Sequence, residues 1–214
     1  ILFRLHKYGV LDITTMKLNA NYYLVFLGDI VDRGMFSTEI LVSILLLKRE
    51  NNNNVIFIAG NHEASYPNIN SRDGFQTELN FKYNDQDELY NNFNALFSNL
   101  PVAVLVHYND QTIWLSHGCF NAHADTNLDY KLNSEDYNKK SEIILPTDNE
   151  KFIINSILWS DIAYENGNGR YAGDFHNINT RDEFRKFMDK NKITGVIRGH
   201  QDNYSNSIIY YHNN

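Results

Sequence analysis

Short apolar runs recur along this chain, and four of them stop at a polar residue flanked by glycine. Tyr22-Tyr23-Leu24-Val25-Phe26-Leu27 carries no charge, reads as a strand buried on both faces, and gives way at once to Gly28 and Asp29. Asp32, Arg33 and Gly34 follow in the turn. Ser37 to Arg49 reads as a largely buried helix, with Ser37 or Thr38 placed to cap its start and Lys48 and Arg49 suited to the negative end of its dipole. Val55-Ile56-Phe57-Ile58-Ala59 is the next strand and ends in Gly60-Asn61-His62-Glu63. Strand, helix, strand predicts a parallel pair with a right-handed crossover.

The same reading extends over the rest of the chain. Ile1, Leu2, Leu5 and Tyr8 fall at helical spacing, with Gly9 as a C-cap, and a polar connector then runs to Asn21. Residues 64–85 read as loop and short helix, and Asp87 to Phe97 as a helix. Val102–Val106 and Thr112–Ser116 flank Tyr108-Asn109-Asp110-Gln111 as an antiparallel hairpin whose second arm ends in His117-Gly118. Residues 121–150 read as polar and irregular, and Lys151 to Leu158 as a short helix before Trp159-Ser160-Asp161. Thr180 to Lys190 is amphipathic, with Phe184, Phe187 and Met188 facing inward. Ile193 to Ile197 is a last strand, ending in Arg198-Gly199-His200. The asparagine run 51–54 reads as a solvated connector. Without repeat or linker, the expectation is one α/β domain over residues 1–214.

Composition narrows the function classes. A formal charge of −7 supplies no basic stripe for nucleic acid. Nor does any apolar run approach the roughly 20 residues that span a bilayer. The single cysteine, Cys119, rules out an internal disulfide and, with no signal peptide in view, points to the cytosol or nucleus. Cys119 itself reads as a small buried residue, with no partner to stabilise a thiolate.

The four strand ends present Asp29, Asn61, His117 and His200. Taken singly, each has an ordinary reading as a loop acid, a turn residue or a structural histidine. Together they form a ligand set. A carboxylate can bridge two cations, and an amide oxygen with two imidazoles completes a shell for one of them. Mixed nitrogen and oxygen donors suit Mn, Fe or Zn better than Ca or Mg. Two such ions about 3.5–4 Å apart clamp a phosphoryl group and bring the pKa of a bridging water toward neutrality.

Phe26-Leu27-Gly28-Asp29-Ile30-Val31-Asp32-Arg33-Gly34, Gly60-Asn61-His62-Glu63, Ser116-His117-Gly118 and Arg198-Gly199-His200-Gln201 resemble the signatures of the metal-dependent phosphoprotein phosphatase family. Leu158-Trp159-Ser160-Asp161, Leu100-Pro101-Val102-Ala103 and the opening Ile1-Leu2-Phe3-Arg4-Leu5 with Tyr8-Gly9 add to the resemblance, which runs in order to about Ile209. It implies a calcineurin-like metallophosphoesterase architecture: a central β-sandwich of mixed sheets flanked by helices, incomplete at the termini. It also implies serine/threonine phosphatase activity on phosphoprotein substrates, with two divalent metal ions and regulatory subunits as possible partners. By the same resemblance Asp29 bridges the metals, and Asn61, His117 and His200 hold the second. His62 protonates the leaving alkoxide, Asp32 orients His62, and Arg33 and Arg170 bind phosphate. Glu63 supports the His62 loop.

The family's first motif, Gly-Asp-x-His-Gly, is not among these residues and would lie just upstream of Ile1. His6 reads as a solvated helical residue and is a poor substitute. Tyr210 and Tyr211 match no family loop. The expectation is therefore a core trimmed at both ends that keeps the second metal site and the bridging ligand of the first. Two other readings stay open: a metallophosphoesterase for diesters or dinucleoside polyphosphates, and a pseudophosphatase that binds partners.

Overall fold

The structure, a computed structural model, describes residues 1–64, 74–84, 87–120, 141–144, 157–162 and 178–200. Its residues cluster into two compact units.

The first unit comprises residues 1–26, 30–57 and 66–94. Helix α1 (Leu2–Lys7) stops in a Schellman turn, in which the Val10 N–H reaches the Leu5 carbonyl, the Gly9 N–H reaches that of His6, and Gly9 takes φ +69°. The expected glycine stop is therefore present. The polar connector that follows is instead a small hairpin, β1 (Leu11–Asp12) against β2 (Lys17–Leu18). Its turn is set by the Asp12 carboxylate, which accepts the Thr14 N–H at 2.9 Å. His6 is exposed as expected, with its ring on the Leu11 carbonyl.

Strand β3 is shorter and less buried than its composition predicts. It spans Leu24–Phe26, all half-buried, and Tyr22 and Tyr23 before it are exposed to solvent. It pairs in parallel with β4 (Val55–Phe57), which confirms the parallel expectation, with Phe26 opposite Phe57. Between them runs α2 (Ser37–Glu50), which buries Leu41, Ile44 and Leu47 but exposes Ile40 and Val42, so it is amphipathic rather than largely buried. Leu11, Leu47 and Val55 form the core here, with Leu2, Leu5, Leu18 and Phe26 packed around them.

Neither Ser37 nor Thr38 caps α2 with its own side chain; the N-cap position is Phe36. The cap comes from α4 (Phe75–Tyr83), where α3 is the single turn Asn61–Ala64. The Glu78 carboxylate, 1% exposed, accepts the backbone N–H groups of Ser37 and Thr38 and the Thr38 hydroxyl at 2.8–2.9 Å. Lys82 neutralises it at 3.0 Å. Burial disfavours the Glu78 anion, but these donors outweigh it and push its pKa down to about 2. In return, Asp32 Oδ1 accepts the Phe75 N–H at 2.7 Å and caps α4.

The asparagine run is also less idle than expected. Asn51 donates to the Met16 and Leu47 carbonyls and accepts the Leu18 N–H, tying the hairpin to the end of α2. Helix α5 (Asp87–Phe97) forms as expected and sets Phe93 edge-on to Phe75.

The second unit comprises residues 27–29, 58–65 and 95–214. Its four-stranded sheet runs in the order β10 (Gly195–Arg198), β6 (Gln111–Ser116), β5 (Ala103–Tyr108), β7 (Ser141–Ile144). Strands β5 (Ala103–Tyr108) and β6 (Gln111–Ser116) form the expected hairpin around Asn109 and Asp110. Strand β7 (Ser141–Ile144) pairs antiparallel with β5, where an irregular segment was expected. A short parallel pair, β8 (Asp161–Ile162) with β9 (Ile178–Asn179), was likewise not foreseen. Helix α6 (Arg181–Lys190) starts in a full capping box between Thr180 and Glu183. It turns Phe184 and Met188 inward as expected, and Phe187 packs beside them. Strand β10 (Gly195–Arg198) lies parallel to β6, with Arg198 opposite Ser116. Trp114, Phe120, Phe184, Cys119 and Ile193 make the core, and burial pushes the Cys119 thiol up to about 12. The expected helix at 151–158 lies largely outside the described residues, and Arg170, Gln201, Tyr210 and Tyr211 lie wholly outside them.

Candidate metal centre

Two backbone features of the second unit deliver the site. Strands β6 and β10 run parallel, so His117 and His200, which follow them, emerge at the same end; the Gly199 N–H donates to the His117 carbonyl at 2.9 Å. The segments carrying Asp29 and Asn61 are held together by two glycines. A Cβ built on Gly28, which sits at φ +84°, would lie 2.3 Å from the Gly60 nitrogen. One on Gly60 would lie 2.3 Å from both the Asp29 nitrogen and Asp29 Oδ1. Only glycine permits this approach.

The four expected ligands converge. His117 Nε2 lies 2.9 Å from Asn61 Oδ1 and 3.1 Å from Asp29 Oδ2. His200 Nδ1 lies 3.0 Å from Asn61 Oδ1 and 3.2 Å from His117 Nε2. Asn61 and His117 are each 2% exposed, whereas Asp29 keeps an open side. His117 Nδ1 lies 2.7 Å from the Leu27 carbonyl. A carbonyl only accepts, so Nδ1 carries a proton and Nε2 is the atom that faces the two oxygens, able to offer its lone pair to a cation or, with no cation there, a proton to Asp29. Acceptors facing acceptors at this distance require a proton or a cation between them.

A divalent ion fits that demand. Ligands about 2.1 Å from a metal stand about 3.0 Å apart on a cis edge of a six-coordinate shell and about 3.4 Å apart in a tetrahedron. The spacings of 2.9–3.2 Å match the former. Asp29, His117 and His200 also form the one carboxylate-imidazole cluster of metal-holding size among the described residues. Burial works against the Asp29 anion, but the hydrogen bond and charge of His117, with His62 adding to them, hold its carboxyl below the ordinary carboxylate value. It is a ready anionic ligand.

Four of the eight non-glycine residues with positive φ among the described residues are expected functional residues. Asp29 (φ 54°), Asp32 (φ 69°), Arg33 (φ 56°) and His200 (φ 65°) all occupy the left-handed region that ordinary side chains avoid. The His62 N–H reaches Asp29 Oδ1 at 3.3 Å, which places His62 beside the ligand set. Asp32 and Arg33 belong to the first unit, where Asp32 is half-buried and Arg33 is exposed.

Three contacts around the ligands went unread in the sequence. The Leu27 carbonyl fixes the His117 tautomer. Arg198, two residues before His200, pairs with the fully buried Asp161 at 3.2 Å and donates to the Ser160 carbonyl. The Trp159 ring meets His200 edge-on at 5.8 Å. The Trp-Ser-Asp motif was visible as a motif, but nothing in its composition said that it wraps a ligand.

The parallel pairs, the glycine-flanked strand ends and the nitrogen-oxygen ligand set define a metallophosphoesterase, and comparison with known proteins agrees. The family described as calcineurin-like phosphoesterase matches residues 7–204, and the chain belongs to that family. Among curated proteins it is similar to a serine/threonine-protein phosphatase of Caenorhabditis elegans, with 33% identity over 187 residues, 86% of this chain and 37% of the relative. It is also similar to serine/threonine-protein phosphatase 5 of Rattus norvegicus, with 27% identity over 193 residues, 90% of this chain and 36% of the relative. Among solved structures it resembles a protein serine/threonine phosphatase of Saccharomyces cerevisiae with similarity to human phosphatase PP5. There the TM-score is 0.66 and the identity 26%, over 94% of this chain and 56% of that one. The chain thus spans about a third of the length of the curated relatives it matches.

Proposed function

We propose that this chain is the core of a metal-dependent phosphatase that hydrolyses phosphoserine and phosphothreonine in proteins. The observation that carries the reading is the convergence of Asp29, Asn61, His117 and His200, in a chain whose matched relatives are named serine/threonine-protein phosphatases. A divalent metal in the class of Mn, Fe or Zn, which Asp29, Asn61, His117 and His200 would hold, would supply Lewis-acid charge to the phosphoryl group and acidify water enough for it to act at neutral pH.

The chain's own residues handle orientation and protons. Arg33 and Arg170 hold phosphate oxygens through their planar guanidinium groups. Water that has given a proton to solvent adds to phosphorus directly as the phosphorus–oxygen ester bond breaks, and solvent afterwards returns a proton to His62. The departing serine or threonine oxygen takes its proton from His62, because an alkoxide is a poor leaving group. Asp32 orients His62 and favours its protonated form. Regulatory subunits are proposed as partners. The lone cysteine is the ground for placing the chain in a reducing compartment, the cytosol or nucleus. No helix among the described residues is long and apolar enough to cross a membrane.

The test compares hydrolysis of a phosphoserine peptide with that of bis(p-nitrophenyl) phosphate, in Mn2+ and after chelation. Metal-dependent release of phosphate from the peptide is expected. Preference for the diester would move the chain to the diesterase branch. No turnover by a version extended upstream, despite full metal, would make it a binding protein.

A further inference from the structure

Glu63 lies on the single turn α3, is 6% exposed, and uses one carboxylate oxygen for two backbone donors. Its Oε2 accepts the Gly60 N–H at 2.7 Å and the Asp29 N–H at 2.8 Å. The β3–β4 ladder ends at Phe26 opposite Phe57, and Asp29 and Gly60 each stand three residues further along. One oxygen thus links the two segments that carry Asp29 and Asn61, where no backbone ladder holds them. The space is also tightly fitted: a Cβ on Gly60 would lie 2.7 Å from Glu63 Oε2.

We infer that Glu63 is a positioning residue for the metal centre, and the inference rests on the metal-centre reading above. Asp29 takes φ 54°, a left-handed conformation that aspartate tolerates better than most side chains but still at a cost. The Glu63 carboxylate grips its N–H while the His62 N–H grips its Oδ1, so Asp29 is held at both backbone and side chain by residues of the same turn. The neighbouring Asn61, which starts that turn, presents Oδ1 to both histidines. Removing the Glu63 acceptor leaves the buried Gly60 N–H and the part-buried Asp29 N–H without it and lets the Asp29 backbone relax toward φ below zero, turning its carboxylate away from His117 and Asn61. The carboxylate also adds negative charge beside the ligand set, which favours a bound cation.

The test is the Mn2+ affinity of the 214-residue chain, measured by titration calorimetry well below its melting temperature, for wild type, Glu63→Ala and Glu63→Gln. Outer-shell partners of metal ligands typically contribute 10–100-fold in affinity, so Glu63→Ala is expected to weaken binding by about that factor. Its circular dichroism should stay native. Glu63→Gln keeps the shape and an acceptor oxygen but not the charge, and is expected in between, with a loss of about 3–10-fold. Should Glu63→Ala fail to fold, Glu63→Gln decides alone. Affinity within about twofold of wild type in a folded variant overturns the inference, even where the melting temperature falls, because Glu63 would then serve the fold and not the ligands. A wild-type chain that binds no Mn2+ overturns the metal-centre reading and this inference with it.

Discussion

Gly60→Ala is the most informative single substitution, because one methyl group meets both the ligand and its support. The added Cβ would sit 2.3 Å from the Asp29 nitrogen, 2.3 Å from Asp29 Oδ1 and 2.7 Å from Glu63 Oε2. Ordinary contacts begin near 3.4 Å, so Asp29 must retreat by about 1 Å. Overpacking of this kind costs about 1–3 kcal/mol of stability. A ligand displaced by about 1 Å reduces turnover by about 100-fold. Urea unfolding, together with Mn2+ titration and phosphopeptide turnover, reads both effects. Two companions grade the response. Gly199→Ala brings a Cβ to 3.3 Å from His117 Nδ1, a mild squeeze that should cost less than about 1 kcal/mol. Gly195→Ala meets only Ile113 Cγ1 at 3.9 Å, and should leave metal affinity unchanged. If Gly60→Ala bound Mn2+ as wild type does while keeping its stability, the close approach of the two strand ends would not be what sets the ligand geometry.

Two further outcomes follow from buried charge. The Glu78 carboxyl has a folded pKa of about 2 against an ordinary 4.5, so its stabilisation is complete above pH 4.5 and is lost as the pH falls toward 2. The shift alone would amount to about 3 kcal/mol, and solvent screening of the pair with Lys82 brings this to about 1–2 kcal/mol. Glu78→Gln should therefore lower the urea midpoint at neutral pH and flatten its decline between pH 4.5 and 2; an unchanged slope would contradict the cap. Asp161→Asn removes the carboxylate charge paired with the Arg198 guanidinium, 11% exposed, at a cost of up to about 3–5 kcal/mol. Arg198→Met added to it should recover part of that loss in the same melts, and no recovery would argue against the pair.

How much of this was legible in the sequence depended on the length of the signal. Helices α2 and α5 were readable because apolar residues recur over about three turns, and α6 because Phe184, Phe187 and Met188 fall on one face of a polar run; its capping box between Thr180 and Glu183 went unread. The hairpin β1–β2 was not, since two-residue strands have no period to detect. Strand β7 was lost in a polar segment whose pairing with β5 is settled by tertiary context. The convergence of Asp29, Asn61, His117 and His200 was legible because each ends a strand beside a glycine, and the structure brings the four side chains together. Their supports were legible only in part. The resemblance gave Glu63 to the His62 loop but not its bonds to the Asp29 and Gly60 N–H groups, and the partner of Arg198 lies 37 residues away in the chain. Asn51 shows the same limit, because in a run of four asparagines nothing marks the one whose side chain closes α2.

The central claim is that Asp29, Asn61, His117 and His200 hold a divalent ion together. Pulsed electron paramagnetic resonance of the chain with substoichiometric Mn2+ tests it most directly, through nitrogen couplings to the bound ion. Coupling from two imidazole nitrogens is expected, with one lost in His117→Ala and the other in His200→Ala. Mn2+ bound without nitrogen coupling, or with coupling that survives both substitutions, would contradict the account.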